Sequence, residues 1–280
     1  MNSLAEKYLR PSQIPTKACN GCGIGMIENW LLQAIDDLEY KQEDIIFGTG
    51  IGCVGRQTYG TWAGDNFGGT HGRSLAIATG LKVARPDKKI VLVVGDGDAA
   101  AIGASHLVHA ARRNVGVTVI CEDNMGFEST GGQFSPTTPD NYVTNSSPYG
   151  MVEPNFDPCD IVKAAGATYV AETTAVQFHQ TIKVFKEALQ NDGFSFVHVR
   201  FPCNMNFGAQ ALGTRDTLEN MDWISEHTKG KKANGEDADF KWDTGVKHDA
   251  RNSRPEFSSL VHGVVERARK TNGESKKAAQ

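Results

Sequence analysis

Residues 95–97 read Gly-Asp-Gly, and they follow the aliphatic run Val91-Leu92-Val93-Val94 directly. Asn124 closes a second aliphatic run, one predicted helix and one predicted strand further on. A carboxylate, a side-chain amide oxygen and a neighbouring backbone carbonyl form a set of hard oxygen donors. Mg2+ prefers such ligands and commonly keeps phosphate oxygens as its remaining partners. The glycines beside Asp96 let a phosphate or metal approach the backbone. The stretch therefore reads as a holder for a magnesium diphosphate. The competing reading of Asp96 is a helix N-cap, because a helix follows shortly.

Six cysteines supply a second chemistry: Cys19, Cys22, Cys53, Cys121, Cys159 and Cys203. The N-terminal residues contain no apolar signal core, so a cytoplasmic, reducing location is expected and structural disulfides are not. In that setting Cys19-Asn-Gly-Cys22 reads as a ligand pair for a metal or cluster, or as a redox dithiol. Cys53 and Cys203 each follow a predicted strand at the same edge as Asp96 and Asn124. Four thiolates converging there suit a 4Fe–4S cluster, zinc or two disulfides. Cys121, after Val-Thr-Val-Ile, and Cys159, near a helix start, read as packing residues.

The elements that must position these groups follow from periodicity. Apolar spacing predicts helices over 26–38, 74–84, 100–113, 159–166 and 174–189. Buried strands are expected at 45–53, 89–94, 115–121, 168–171 and 194–201. Residues 1–18 read as an extended arm, 19–25 as a tight loop and 126–157 as a long functional loop. Alternating strands and helices imply an α/β fold, a doubly wound and mostly parallel sheet, with ligands at the carboxyl ends of its strands. Residues 1–212 form the expected cofactor-binding domain. Residues 213–280 are polar and read as an arm packing on a partner, with a short helix over 260–268. A formal charge of −4 over 280 residues gives no reason to expect nucleic acid or an anionic membrane as partner. No apolar run approaches the ~20 residues of a membrane helix.

The run from Gly95 through Asn114, followed by DNMGFESTGGQFSPTTP, resembles the β subunit of 2-oxoacid:ferredoxin oxidoreductases. CNGCG, GIGC at 50–53, THGR at 70–73, SPYG at 147–150, EPNFD at 153–157 and PCNMNFG at 202–208 match that family in order, over about residues 15–210. The resemblance implies a diphosphate-type thiamin-binding domain. In it Asp96, Asn124 and the Gly126 carbonyl ligate Mg2+. Gly52, Cys53, Gly95, Gly97, Asp98 and Thr130 lie along the cofactor, and Cys19, Cys22, Cys53 and Cys203 carry a 4Fe–4S cluster. His71 and Arg73 would contact the substrate carboxylate or the thiazolium; the alternative for Arg73 is a surface ion pair. His106 and His109 read as a helix face against a partner chain. Asn20 and Asn204 stand where many relatives have proline.

The implied reaction is oxidative decarboxylation of a 2-oxoacid to acyl-CoA and CO2, with electrons passed to ferredoxin. The pattern leans toward 2-oxoglutarate, with Arg56 as a candidate for its distal carboxylate. The chain shows one sheet's worth of strands, so an α subunit is expected to supply the glutamate that activates thiamin, in an αβ heterodimer or its multiple. Two alternatives stand beside this. One is a cluster-carrying electron-transfer or scaffold subunit with a vestigial thiamin site. The other is a non-oxidative thiamin-dependent decarboxylase with zinc at the cysteines.

Overall fold

A computed structural model describes residues 3–278. The chain runs through α1 (Ser3–Tyr8), α2 (Gly23–Asp37), β1 (Ile45–Thr49), α3 (Cys53–Thr61), β2 (Asn66–Gly68), α4 (Ser74–Ala84), β3 (Lys89–Gly95) and α5 (Ala104–Arg113). It continues through β4 (Val117–Asp123), α6 (Pro158–Ala165), β5 (Tyr169–Thr174), α7 (Phe178–Gln190), β6 (Ser195–Arg200), α8 (Thr217–Lys229), β7 (Gly245–Asp249) and α9 (Phe257–Ala278). The seven strands form one sheet in the order β2-β1-β3-β4-β6-β5-β7. Every pairing is parallel except that of β5 with β7.

Alternation along the strands builds a core on each face. Val91, Val93, Ile120 and Val197 pack with Ile24, Leu31 and Ile35 of α2 and Phe185 of α7. Ile90, Leu92, Val94, Val119 and Phe196 pack with Leu75 of α4, Leu107 of α5 and Val162 of α6. Successive side chains of a strand point to opposite faces, so the continuous aliphatic runs that announced these strands are those of a sheet covered on both sides. Cys121 and Cys159 lie in the second core.

Several expectations change. Residues 3–8 are helical, with Leu4 and Tyr8 buried four positions apart and Tyr8 stacked on Trp62 at 5.8 Å. That pair is an amphipathic helix signal hidden in a polar stretch. Helix α3 and the short strand β2 occupy residues read as a turn and loop. Strand β4 extends to Asp123, so Asn124 sits immediately past its end.

The polar segment 213–280 folds back on this chain. Helix α8 and Trp242 join Met125, Cys203 and Phe207 in a small core, β7 pairs with β5, and α9 lies beside α4, where His262 Nε2 is 2.8 Å from the Val83 carbonyl. Asn114 ties this return to the sheet. It ends α5 at φ 55°. Its Oδ1 accepts from Phe194 N at 2.8 Å and Thr168 Oγ1 at 3.0 Å. Its Nδ2 donates to the Pro255 carbonyl at 3.2 Å. Asn114→Ala should lower stability in urea by about 3 kcal/mol, from unpaired buried groups and left-handed backbone. Asn114→Gly, which relieves only the backbone, should recover less than half of that loss.

Candidate active site

Strands β1, β3 and β4 end side by side, and a cleft opens over their carboxyl ends. Gly52, Cys53, His71, Gly95, Asp96, Gly97, Asp98, Asn124, Gly126 and Thr130 line it, with Phe127 and Glu128. After Asp96 the backbone makes a single π-helical turn, Gly97–Ile102, before α5. Such turns recur at functional sites. Asp96 already has helical dihedrals and its side chain caps no backbone N–H, so the cap reading does not hold. Instead its Oδ2 accepts from Ser135 Oγ and, at 3.2 Å, from Thr137 Oγ1.

The Asn124 amide stands 3.2 Å from Asp96 Oδ1 and 3.0 Å from the Gly126 carbonyl, with its oxygen facing both. In this orientation the amide oxygen meets the Asp96 and Gly126 oxygens, three acceptors together. Turned over, the amide would donate to both neighbours, the arrangement preferred with nothing bound. An octahedral Mg2+ at its usual bond length has ligand–ligand edges of about 3 Å, so a bound cation would select the oxygen-inward form. Burial, then the nearby Asp123 charge, pushes the Asp96 carboxyl well above the usual range. A divalent ion would reverse that. The backbone beside the cleft is open. No atom lies within 4 Å of a Cβ built on Gly52, whose φ is 115°, and none within 3.8 Å of one on Gly95. The donor set and this bare backbone fit a magnesium diphosphate.

Asp98 has another task than expected. Its Oδ1 accepts from Gly72 N at 2.5 Å and meets His71 Nδ1 at 2.6 Å. Asp98 therefore engages the imidazole through Nδ1 and leaves Nε2 for the cleft that His71 lines. Arg73 does not join the cleft. It is exposed and caps the Ile102 carbonyl at 2.9 Å. Arg56 donates to Ser129 Oγ at 3.1 Å and to Cys53 Sγ at 3.7 Å, bridging the 50–53 turn to the loop that carries Thr130.

Cys53 and Cys203 follow the ends of β1 and β6, and Cys22 precedes α2. Cys53 opens α3 and Cys22 caps α2. Cys203 N donates to the Asn124 carbonyl at 3.3 Å. Asn204 Nδ2 reaches the Asn20 carbonyl at 3.1 Å, binding the Cys19–Cys22 loop to the Cys203 loop. Burial first, then the Glu122, Cys19 and Cys53 charges, pushes the Cys22 thiol up to about 12. Among the described residues these cysteines do not form a group of three or more already close enough to hold a metal ion.

Residues 50–199 match the model of the thiamine pyrophosphate enzyme C-terminal TPP-binding domain. The 2-oxoglutarate synthase subunit KorB of Methanocaldococcus jannaschii is 39% identical over 267 residues, 94% of this chain and 97% of its own length. The 2-oxoacid:ferredoxin oxidoreductase 2 subunit beta of Aeropyrum pernix is 36% identical over 66% of this chain and 60% of its own. This chain belongs to the β subunits of the 2-oxoacid:ferredoxin oxidoreductases. A solved 2-oxoglutarate:ferredoxin oxidoreductase from Magnetococcus marinus, with 2-oxoglutarate, coenzyme A and succinyl-CoA bound, superposes with a TM-score of 0.81 at 29% identity, over 95% of this chain and 91% of that one.

The β subunit also uses residues that sequence reasoning passed over. Ser135 and Thr137 lie in the matched FSPTTP stretch; hydroxyls following a buried carboxylate were the available signal. Thr137 Oγ1 also reaches Asp123 Oδ1 at 3.1 Å. Asp123 Oδ2 meets His198 Nε2 at 2.9 Å and Arg200 at 3.1 Å. Burial alone would raise the Asp123 carboxyl, but His198, Arg200 and the Met125 N–H hold it below its ordinary value.

Glu128 is 7% exposed and its Oε2 has no partner. Burial pushes its carboxyl up to about 7, against a hydrogen bond shared with Cys203. A raised carboxyl contributes stability below its unfolded value, about 4.5, that is lost as pH rises toward 7. Glu128→Gln should flatten this window in the cluster-free β subunit by about 3 kcal/mol. Urea unfolding at pH 4.5 and 7.5 checks it, and an unchanged difference between the two pH values would contradict the assignment.

Proposed function

We propose that this β subunit binds thiamin diphosphate through Mg2+ held by Asp96, Asn124 and the Gly126 carbonyl, and carries a 4Fe–4S cluster on Cys19, Cys22, Cys53 and Cys203. The enzyme it serves oxidatively decarboxylates 2-oxoglutarate to an acyl-CoA and CO2 and passes electrons to ferredoxin. The juxtaposition of the Asp96 carboxyl, the Asn124 amide and the Gly126 carbonyl at the ends of β3 and β4 carries the reading. Relatives named for 2-oxoglutarate support the substrate, and so does the Magnetococcus marinus enzyme, solved with that acid.

Bound thiamin diphosphate supplies a carbanion nucleophile and an electron sink. The chain's own residues set the conditions. Gly52 and Gly95 leave backbone for the diphosphate to approach. His71, oriented by Asp98 through Nδ1, presents Nε2 as the atom that can accept or return a proton. Phe127 stands edge-on to His71, with ring centroids 5.8 Å apart. Arg56 keeps the Cys53 turn against the Ser129 loop, so that the cluster ligand and the cofactor wall move as one.

The described residues provide one sheet. The pyrimidine-binding domain and its activating glutamate come from an α subunit, in an αβ heterodimer or a dimer of such pairs. The test is anaerobic purification of the chain with its α partner. It should hold about four iron and four sulfide per β chain, and should reduce ferredoxin only when 2-oxoglutarate and coenzyme A are both present. The isolated β chain should be inactive. Zinc without sulfide, or turnover by the β chain alone, would overturn the proposal.

A further inference from the structure

A second set of donors lies buried outside the cleft. Glu172 and His198 are paired in register on β5 and β6. Asp157 caps α6, and Cys159 lies in the first turn of that helix. One donor atom from each of these four residues lies within 4.8 Å of the others. His198 is fully buried. Its Nε2 is taken by Asp123, and its Nδ1 has no hydrogen-bond partner. Asp123 occupies Nε2, which leaves the buried Nδ1 as the nitrogen available to a ligand. A carboxylate behind an imidazole is the arrangement that orients and strengthens a metal-binding histidine.

The charges around this set leave room for a cation. Arg200 Nε is 2.7 Å from one Glu172 oxygen, and Lys247 Nζ is 3.7 Å from the other. Asp123, Asp157 and Glu172 bring three negative charges against the two of Arg200 and Lys247, and Lys247 also pairs with Asp243 at 2.6 Å, so the group carries excess negative charge. A net charge left in so buried a place is costly. Asp157 spends one oxygen on Cys159 N, at 2.7 Å, and keeps the other free. An access route exists, since Asp157 and Arg200 border a cavity of about 760 Å3 beneath Phe240 and Trp242.

We infer that Asp157, Cys159, Glu172 and His198 form a site for one divalent ion of the zinc class. One sulfur, one imidazole nitrogen and two carboxylate oxygens suit a borderline-soft, four-coordinate ion and not Mg2+ or Ca2+, which take oxygen donors. All four positions come from the protein, so the site is structural. It fastens α6 to β5 and β6. Through His198, Asp123 and Thr137 it also braces Asp96. It needs neither thiamin nor the iron–sulfur cluster and stands or falls independently of the proposed reaction.

The test uses the full chain in complex with its partner, stripped of loosely bound metal and then given one equivalent of Zn2+. Crystals measured above and below the zinc absorption edge should show an anomalous peak between Cys159 Sγ and His198 Nδ1. In solution, Cys159→Ser and His198→Gln should each weaken zinc retention at least tenfold and leave the iron content unchanged. Unaltered retention in both variants would overturn the inference. So would a wild-type map with zinc in excess and no anomalous signal at that position, and the map decides the matter even if the variants fail to fold.

Discussion

Two buried carboxylates at the ends of neighbouring parallel strands govern this molecule. Asp96 and Asp123 share Thr137, whose single hydroxyl proton serves only one of them at a time. Their surroundings are unequal. Asp123 has His198 and Arg200 within 3.1 Å. Asp96 has hydroxyl donors and no cation. An isolated carboxylate so deeply buried is held neutral or finds a counter-charge. The oxygens of Asn124 and Gly126 are placed where such a charge would sit, so the asymmetry between the two aspartates is itself an argument for a metal at the first.

The rest of the fold serves that edge. Parallel strands bring the loops after β1, β3 and β4 to one side. The π-helical turn lets Asp98 swing back to His71 while Asp96 stays in the cleft. The C-terminal segment closes over the far end of the sheet, where Trp242 stands 5.6 Å from the Arg200 guanidinium. Cys203 is joined to Asn124 by a backbone hydrogen bond, so the metal-facing loop and the proposed cluster loop share one rigid corner.

Much of this was legible in the sequence. The aliphatic runs located β1, β3, β4 and β6, because strands buried on both faces need continuous apolar residues. That Asp96 and Asn124 share one sheet edge was legible through spacing, since one helix and one strand separate them on adjacent parallel strands; Gly126 came with the family resemblance. Three things were not. Leu4 and Tyr8 gave too short an apolar pattern to overrule the polar prolines around them. The polar composition of 213–280 concealed its core contribution, which rests on a few aromatic residues such as Trp223 and Trp242. The partners of Asp98 and Arg73 depend on how the π-helical turn aims their side chains, and residue spacing does not encode that. Asp98 was expected on the diphosphate and holds His71; Arg73 was expected at the substrate and caps a carbonyl.

The central claim is that Asp96, Asn124 and Gly126 are oxygen ligands awaiting a cation. Calorimetric titration of thiamin diphosphate into the αβ complex, with and without Mg2+, tests it most directly. The account predicts affinity that rises at least tenfold with Mg2+ and loses that gain in Asn124→Leu, which removes the amide oxygen. Equal affinity with and without the metal, or a metal effect that survives Asn124→Leu, would contradict it.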